Sequence, residues 1–234
     1  MSVGSLNIIT DGLVFCVDAG NDKSYPGYLI AGVPSWDDLS SNMSDGTLVN
    51  GTAYDTDNCG SILFDGIDDS VIFTDSPSIS ITGDMTINAW VRISDFGDYR
   101  GIVSKVNINV PNPFDYYILS GSGIPVITRG DGINNIPTDW DYMAGANALQ
   151  SGVWQNITVT YQGGNVVHYL NSIQNGTGFI NPMITDNGGD MYIGNRADGA
   201  TPMSGNISCV QLYNRALTPD EVLHNYNKLK FRFL

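Results

Sequence analysis

The sequence predicts an all-β protein, a two-sheet antiparallel jelly-roll sandwich with a short C-terminal helix. Short apolar alternations recur along the chain, and Gly, Asn, Asp and Pro separate them. Of the 24 acidic residues only Glu221 is a glutamate, and aspartate favours turns over helix interiors. A chain of 234 residues is long enough to bury a core, so we expect a single domain over 1–234.

The strands are predicted from alternation of apolar and polar residues. Every second residue from Met85 to Ile93 is apolar, and Gly163-Gly164 predicts a hairpin turn between two further strands. The predicted strands are Leu13–Asp18, Gly60–Phe64, Val71–Phe73, Met85–Ile93, Gly101–Lys105, Tyr116–Leu119, Ile124–Thr128, Trp154–Gln162, Val166–Leu170, Met191–Gly194 and Asn206–Tyr213.

One helix is predicted over about residues 218–230, because the chain carries a capping box there. Thr218 is the N-cap, Pro219 takes the first helical position and Glu221 the third. The tail that follows is both basic and apolar. It either folds back on the sandwich or contacts a neighbour in a larger assembly, and the predicted assembly contact consists of Lys230, Phe231, Arg232 and Phe233.

The net charge of −14 restricts the partners. Nucleic acids and anionic membranes require clustered cations, so neither is expected to bind, whereas neutral glycans and cations such as calcium are compatible with the charge. No segment has the length of a membrane span, and residues 1–10 lack the basic start of a signal peptide. We therefore expect no membrane insertion and no export by this N-terminus.

Three cysteines favour free thiols in a reducing compartment, because an odd number cannot pair completely. Cys16 and Cys209 lie in apolar strand-like segments, where buried thiols are favoured over a disulfide between terminal strands.

A cation site is predicted in the aspartate-rich segment FDGIDDS, at Asp65, Asp68 and Asp69. Carboxylate oxygens are the ligands that Ca²⁺ prefers, although the spacing is not that of an EF-hand. The alternative is that these aspartates cap a turn around Gly66. No cofactor is required, and Ca²⁺ is the one ion that the residues favour.

A ligand site is predicted in the long irregular segment 129–150, at Trp140, Asp139, Asp141 and Tyr142. An exposed aromatic ring stacks on a sugar while carboxylates accept its hydroxyl groups. The alternative is that Trp140 anchors its own loop. The other tryptophans, Trp36, Trp90 and Trp154, are expected to pack in the protein.

Catalysis is not predicted. Retaining glycoside hydrolysis needs two carboxyl groups about 5 Å apart. The chain has one glutamate, and sequential aspartates such as Asp68-Asp69 are expected to point to opposite faces of a strand. Both His168 and His224 are interpreted as packing or surface residues, and no GxSxG nucleophile motif is present.

An ordered set of segments resembles the laminin-G-like (concanavalin A-like) jelly-roll family: GSILFDGIDDSVIF (60–73), MTINAWVRI (85–93), GIVSK (101–105), VWQNITVTYQGGNVVHYLNS (153–172), MYIGN (191–195) and GNISCVQLYNRALTPDEV (205–222). Two departures stand out. Ser172 occupies a position where many members carry a hairpin glycine, and Ile207-Ser208-Cys209 replaces an acidic segment. If that acidic segment binds metal in other members, its loss argues against a metal site here.

The flanks 11–40 and 214–233 look like those of single-domain virion proteins of tailed bacteriophages. This resemblance implies a non-enzymatic structural component, a capsid decoration or tail-fibre adhesin, assembled in the host cytoplasm and displayed on the particle exterior. Its implied partners are other virion proteins, host-surface glycans and further copies of itself. The alternative is a calcium-dependent carbohydrate-binding lectin, and a glycoside hydrolase is the third and least favoured function.

Overall fold

Two antiparallel sheets, packed face to face, form the body of the protein. The computed structural model describes residues 7–26, 35–109, 114–129, 142–180 and 186–234. The strands are β1 Leu13–Asp18, β2 Ser35–Trp36, β3 Gly46–Val49, β4 Ala53–Asp55, β5 Ser61–Asp65, β6 Ser70–Phe73, β7 Met85–Ile93, β8 Tyr99–Val106, β9 Phe114–Gly121, β10 Ile124–Arg129, β11 Tyr142–Ala144, β12 Gln155–Gln162, β13 Asn165–Leu170, β14 Ile173–Phe179, β15 Met191–Ile193 and β16 Ser204–Tyr213. The helix α1 spans Pro219–Leu229.

Each sheet contains eight of the described strands. Sheet 1 has the order β14-β13-β12-β7-β16-β5-β4, with β1 also paired to β16, and sheet 2 has the order β11-β10-β9-β8-β15-β6-β3-β2. The all-β class and the two-sheet sandwich are therefore confirmed. Among the described residues, no helix has the length and apolar character needed to cross a membrane.

All eleven predicted strands occur, and Leu13–Asp18 and Met85–Ile93 have the predicted bounds. The sequence-based number of strands was nevertheless wrong, because β2, β3, β4, β11 and β14 were not predicted. Four of these five lie at the edges of the sheets. Edge strands are paired on one side only and need no long apolar alternation, so their sequences resemble those of loops.

The core lies between the two sheets, and every second side chain of a strand points into it. Ile87 and Val91 of β7 meet the inner face of sheet 2, and Phe15 of β1 contacts Phe73 of β6 edge to face at 4.9 Å between ring centroids. Trp36 is fully buried in this core. Because side chains alternate in this way, the strands could be predicted from the sequence.

The C-terminal helix covers the outer face of sheet 1. Its capping box is present as predicted, with Thr218 as the N-cap and Glu221 closing the box. The rings of Tyr226 and Phe233 both stack on the ring of Trp90, at 5.5 and 4.3 Å between ring centroids. Trp154 packs in the same cluster. The expectation that Trp36, Trp90 and Trp154 are packing residues is confirmed.

Two successive hairpin turns, β12–β13 and β13–β14, differ in whether glycine supplies the positive φ values. Gly163 and Gly164 both have positive φ values, 53° and 94°, and join β12 to β13 as predicted. The next hairpin uses Asn171 and Ser172 at φ values of 52° and 64°. Ser172 therefore occupies a left-handed conformation that glycine adopts at lower cost.

His168 links the two sheets and has no catalytic partner among the described residues. It pairs in register with Val159 of the core, its side chain is fully buried, and its Nε2 lies 2.9 Å from the carbonyl oxygen of Met143 in sheet 2. Burial lowers the pKa of His168 to about 4, against the opposing effect of the hydrogen bond to Met143.

This buried histidine predicts acid sensitivity. The unfolded chain takes up a proton near pH 6.5, but the folded protein does so only near pH 4, so stability is lost as the pH falls between these values. We expect a loss of about 2 to 3 kcal/mol over this range. Urea unfolding of wild type and His168→Gln at several pH values measures it. The variant keeps a donor for Met143 without titrating, and an equally steep loss in the variant would contradict the assignment.

Candidate functional site

The turn that connects β5 of sheet 1 to β6 of sheet 2 brings together the three aspartates that were predicted from the sequence as metal ligands. One carboxylate oxygen from each of Asp65, Asp68 and Asp69 lies within 4.8 Å of the others. The expectation that Asp68 and Asp69 point to opposite faces was wrong. Both precede β6 and belong to the turn, where the alternation of a strand does not apply.

The three carboxylates differ in environment. Asp65 and Asp68 are exposed, whereas Asp69 is 3% exposed. Asp69 Oδ2 accepts a hydrogen bond from the backbone N–H of Asp65 at 2.9 Å, and Asp69 Oδ1 is buried without a partner. Burial raises the pKa of Asp69, and the charges of Asp65 and Asp68 raise it further.

A second candidate site lies on the outer face of sheet 2. Tyr192 of β15 pairs in register with Ser104 of β8, Ser104 with Tyr117 of β9, and Tyr117 with Thr128 of β10. Residues adjacent to them in sequence, such as Ile127, point into the core, so these four point outward. We call Tyr192, Ser104, Tyr117 and Thr128 the hydroxyl row.

Two hydroxyl groups of the row are buried without a hydrogen-bond partner, Ser104 Oγ and Thr128 Oγ1. The Tyr117 hydroxyl instead hydrogen-bonds Thr201 Oγ1, and burial raises the pKa of Tyr117 to about 12. Tyr192 is half-buried. Buried hydroxyl groups are nearly always satisfied by protein, water or ligand, and these two are neither paired nor open to solvent.

An ion pair stands beside the row. Arg196 donates two hydrogen bonds to the carboxylate of Asp198, at 2.7 and 2.6 Å. The charge of Arg196 lowers the pKa of Tyr117, and the charge of Asp198 raises it. The hydrogen bond from Arg196 holds the pKa of Asp198 below its ordinary value. Asp198 therefore remains an acceptor, with 36% of its side chain exposed.

The predicted ligand loop is attached to this face of the protein. Trp140, Asp139 and Asp141 lie outside the described residues. The next residue, Tyr142, begins β11, and its backbone pairs with that of Thr128. Two described residues near the two ends of that segment, Thr128 and Tyr142, thus lie at the hydroxyl row. The sequence did not reveal the row itself, because its members come from four segments whose register no local pattern encodes.

The predicted assembly residues are divided by the fold. Arg232 and Phe233 are buried, Lys230 is half-buried and Phe231 is 65% exposed. Arg232 Nη2 donates a hydrogen bond to Ser208 Oγ at 2.8 Å. Burial of Arg232 and Phe233 follows the alternative in which the tail folds back. The assembly contact stays a prediction, for which Phe231 is the most exposed of the four residues.

The buried thiols of Cys16 and Cys209 and the single glutamate of the sequence have structural roles. All three cysteines are free, and burial raises the pKa of Cys16 and Cys209, which confirms their interpretation as buried packing residues. Glu221 pairs with Arg215 at 2.8 Å, and this hydrogen bond lowers the pKa of Glu221 to about 2. Glu221 thus serves the helix cap, whereas a general acid needs a raised pKa.

A family model described as the concanavalin A-like lectin/glucanases superfamily matches residues 65–223. No curated protein matches the chain significantly.

Several solved structures resemble this one. The binding domain of botulinum neurotoxin DC in complex with SialylT matches at a TM-score of 0.71 and 15% identity, covering 97% of this chain and 53% of that one. The binding domain of Paraclostridial Mosquitocidal Protein 1 matches at 0.66 and 20% identity, covering 92% and 52%. Domain 4 of AbnA, a GH43 extracellular arabinanase from Geobacillus stearothermophilus, in complex with arabinotriose, matches at 0.67 and 15% identity, covering 92% and 98%.

At these sequence identities, the similarities show a shared fold and do not show a shared function. The chain spans about half the length of the toxin binding domains that it matches, at 53% and 52%, and nearly the whole of the arabinanase domain, at 98%.

Proposed function

The chain belongs to the concanavalin A-like lectin/glucanases superfamily, and on that premise we propose that it is a non-enzymatic module that binds neutral glycans and is carried on the exterior of a virion. One observation carries the glycan proposal. The outer face of sheet 2 holds two unpaired buried hydroxyl groups, on Ser104 and Thr128, in one row with the half-buried ring of Tyr192.

The sugar would be held by groups of complementary chemistry. The half-buried ring of Tyr192 offers an apolar face to the C–H groups of a sugar, and the carboxylate of Asp198 accepts hydroxyl donors. The net charge of −14 disfavours anionic glycans and leaves neutral ones. Two of the similar structures are complexes, one with arabinotriose and one with SialylT, which supports the sandwich as a sugar-binding scaffold.

We expect Tyr192→Ala and Trp140→Ala each to weaken glycan binding by at least about tenfold, because each removes an aromatic surface worth about 1.4 kcal/mol. A glycan array identifies the neutral oligosaccharide, and calorimetry measures the affinity. Phe231→Ala is the matched control, since Phe231 is an exposed aromatic on the C-terminal tail and should leave the affinity unchanged. The assignment would be refuted if the wild type bound no glycan on the array, or if all three variants lost the same amount of affinity.

Thr128→Val separates binding from folding. The valine keeps the shape of threonine and removes a buried unpaired hydroxyl group, so the free protein should be as stable as wild type or more stable. Glycan affinity should nevertheless fall. A variant that binds as wild type does would remove Thr128 from the site.

The virion location rests on the resemblance of the flanks 11–40 and 214–233 and on the buried free thiols of Cys16 and Cys209, which suit assembly in a reducing cytoplasm. Mass spectrometry of purified particles should find the protein, and mild protease treatment of intact particles should release it. If the protein were absent from the particles, the result would contradict the virion location and support a lectin that acts free of the particle.

The second candidate, a calcium-dependent lectin, is favoured by the cluster of Asp65, Asp68 and Asp69. A glycan array repeated in EDTA distinguishes the calcium-dependent lectin from the calcium-independent module, because glycan binding without calcium excludes the calcium-dependent lectin. For the hydrolase, sugar-release assays should detect no product. Release that disappears in Asp69→Asn would overturn the non-enzymatic proposal, because adjacent carboxyl groups also serve glycosidases.

A further inference from the structure

The C-terminal helix and the short turn that follows it carry apolar side chains on the side that points away from sheet 1. Val222 and Leu229 of α1 are buried against that sheet. On the opposite side, Leu223, Phe231 and Leu234 are 46%, 65% and 74% exposed. The outer face of a surface helix is normally polar, so a second apolar face is typical of an interaction surface.

Helical spacing places these apolar residues in one line with an amide and two charged residues. Positions three, four, seven or eight apart lie on the same side of a helix, and the hydrogen bond from the backbone N–H of Leu234 to the carbonyl oxygen of Lys230 continues the helical course past α1. We call this line the α1 stripe, and it consists of Asp220, Leu223, Asn227, Lys230, Phe231 and Leu234.

The charges of the α1 stripe lie at its two ends and are not neutralised within the described protein. Asp220, in the first turn of α1, is exposed and Lys230, just after the last turn, is half-buried. Neither forms an ion pair with any residue that the structure describes. An anion and a cation at opposite ends of one exposed face are therefore available to a partner.

We propose that the α1 stripe binds the α1 stripe of a second copy of this chain, with the two helices antiparallel about a two-fold axis at Asn227. In a two-fold contact the same patch meets itself, so the patch has to be self-complementary. An antiparallel pair sets Leu223 of one copy against Phe231 of the other. It also brings the two Asn227 amides together, and each amide has a donor and an acceptor for the other.

The antiparallel arrangement also pairs the charges at the two ends of the stripe. With the axis at Asn227, Lys230 of one copy lies opposite residue 224 of the other. That position is only about 6 Å along the helix axis from Asp220, at about 1.5 Å per residue, and a lysine side chain spans this distance. One ion pair forms at each end, whereas a parallel pair would set Lys230 against Lys230.

The size and the charge of the contact predict a weak dimer. The α1 stripe offers six residues per copy, against about 20 to 30 on each side of a standard protein interface. Two copies with a net charge of −14 also repel each other, although salt at about 0.15 M screens charges more than about 8 Å apart. We therefore expect a reversible dimer with a dissociation constant of about 10⁻⁵ to 10⁻⁴ M.

Sedimentation equilibrium of the full chain, at up to about 1 mM protein and about 0.15 M NaCl, measures this association. Phe231→Ala should weaken the dimer at least about tenfold, because each dimer loses two apolar rings. Ile173→Ala, at a 73% exposed apolar residue of β14, is the matched control and should dimerise as wild type does. A wild type that stays monomeric, or an equal loss in Ile173→Ala, would overturn the proposal.

A charge exchange tests the antiparallel arrangement. Asp220→Lys and Lys230→Glu each place like charges at both ends of a dimer, so each variant alone should dimerise at least about fivefold more weakly than wild type. In a mixture of the two variants, every Lys meets an Asp or a Glu, and the mixed dimer should regain most of the wild-type affinity. Thermal melting checks that both variants are folded. A mixture that associates no more tightly than its components would contradict the antiparallel pair.

A different occupant of the α1 stripe gives a different result. If the wild type is monomeric while Phe231→Ala prevents incorporation into particles, the stripe binds another protein and the second-copy proposal is wrong. Oligomers larger than a dimer would also contradict it, because a two-fold contact closes on itself. The proposed pairing depends neither on glycan binding nor on the virion location.

Discussion

Replacing Arg232 with methionine should lower the free energy of unfolding by about 4 to 5 kcal/mol. Arg232 Nη1 donates to both carboxylate oxygens of Asp18, at 2.8 and 2.9 Å, and both side chains are completely buried. Arg232 Nη2 donates to Ser208 Oγ at 2.8 Å. Methionine fills most of the volume but leaves the carboxylate of Asp18 buried and uncompensated, which is the costly part of breaking such a pair.

Urea unfolding measures the loss, and two further variants interpret it. Lys230→Met removes a half-buried cation of the same tail and should cost less than about 1 kcal/mol. The double variant Arg232→Met with Asp18→Leu should recover part of the loss, because no orphaned charge remains. An Arg232→Met protein within about 1 kcal/mol of wild type would contradict this account.

The same ion pair affects how particle assembly can be tested. Deleting 230–234 would remove Arg232 and destabilise the whole domain, so a failure to enter particles would say nothing about a contact. Phe231 is 65% exposed, and Phe231→Ala leaves the Arg232–Asp18 pair in place. Loss of incorporation in that variant, at unchanged stability, would support the predicted assembly contact.

Lys105→Met should lower the free energy of unfolding by about 3 to 4 kcal/mol. The ammonium group of Lys105 is fully buried and lies 2.8 Å from Asp75 Oδ1, 3.1 Å from Asp186 Oδ1 and 2.8 Å from the carbonyl oxygen of Gly189. It thereby ties β8 to the segment that precedes β15. The two carboxylates are about one-third exposed, at 30% and 37%, so water compensates part of the loss.

The pH dependence gives a second readout. Burial opposes the charge on Asp186, but hydrogen bonds from Gly188 and Lys105 outweigh it and lower the pKa of this carboxyl. A lowered carboxyl pKa adds stability above about pH 4, and this stability is lost as the pH falls through the folded-state value. Lys105→Met should flatten that acid-side slope, whereas Lys23→Met, at an exposed lysine, should leave slope and stability unchanged. An unaltered slope in Lys105→Met would argue against the ion pair.

Local patterns predicted the elements of the fold that depend on neighbours in sequence. The alternation in Met85–Ile93 predicted β7, and the capping box from Thr218 to Glu221 predicted α1. The three residues predicted to bind a metal converge in one turn, because they lie within five positions of each other. Edge strands such as β11 and β14 escaped prediction because pairing, and not their own pattern, makes them strands.

By itself, then, the sequence determined the fold class, the faces of the long strands, the helix and the acidic turn between β5 and β6, because one strand, helix or turn contains the residues that specify each element. Only the tertiary structure decided that Asp18 meets Arg232, that Asp69 keeps an unpaired oxygen, and that four strands align Tyr192, Ser104, Tyr117 and Thr128 in a row. The physical reason is that pairing register, and burial by distant segments, are properties of the packed chain that no single segment encodes.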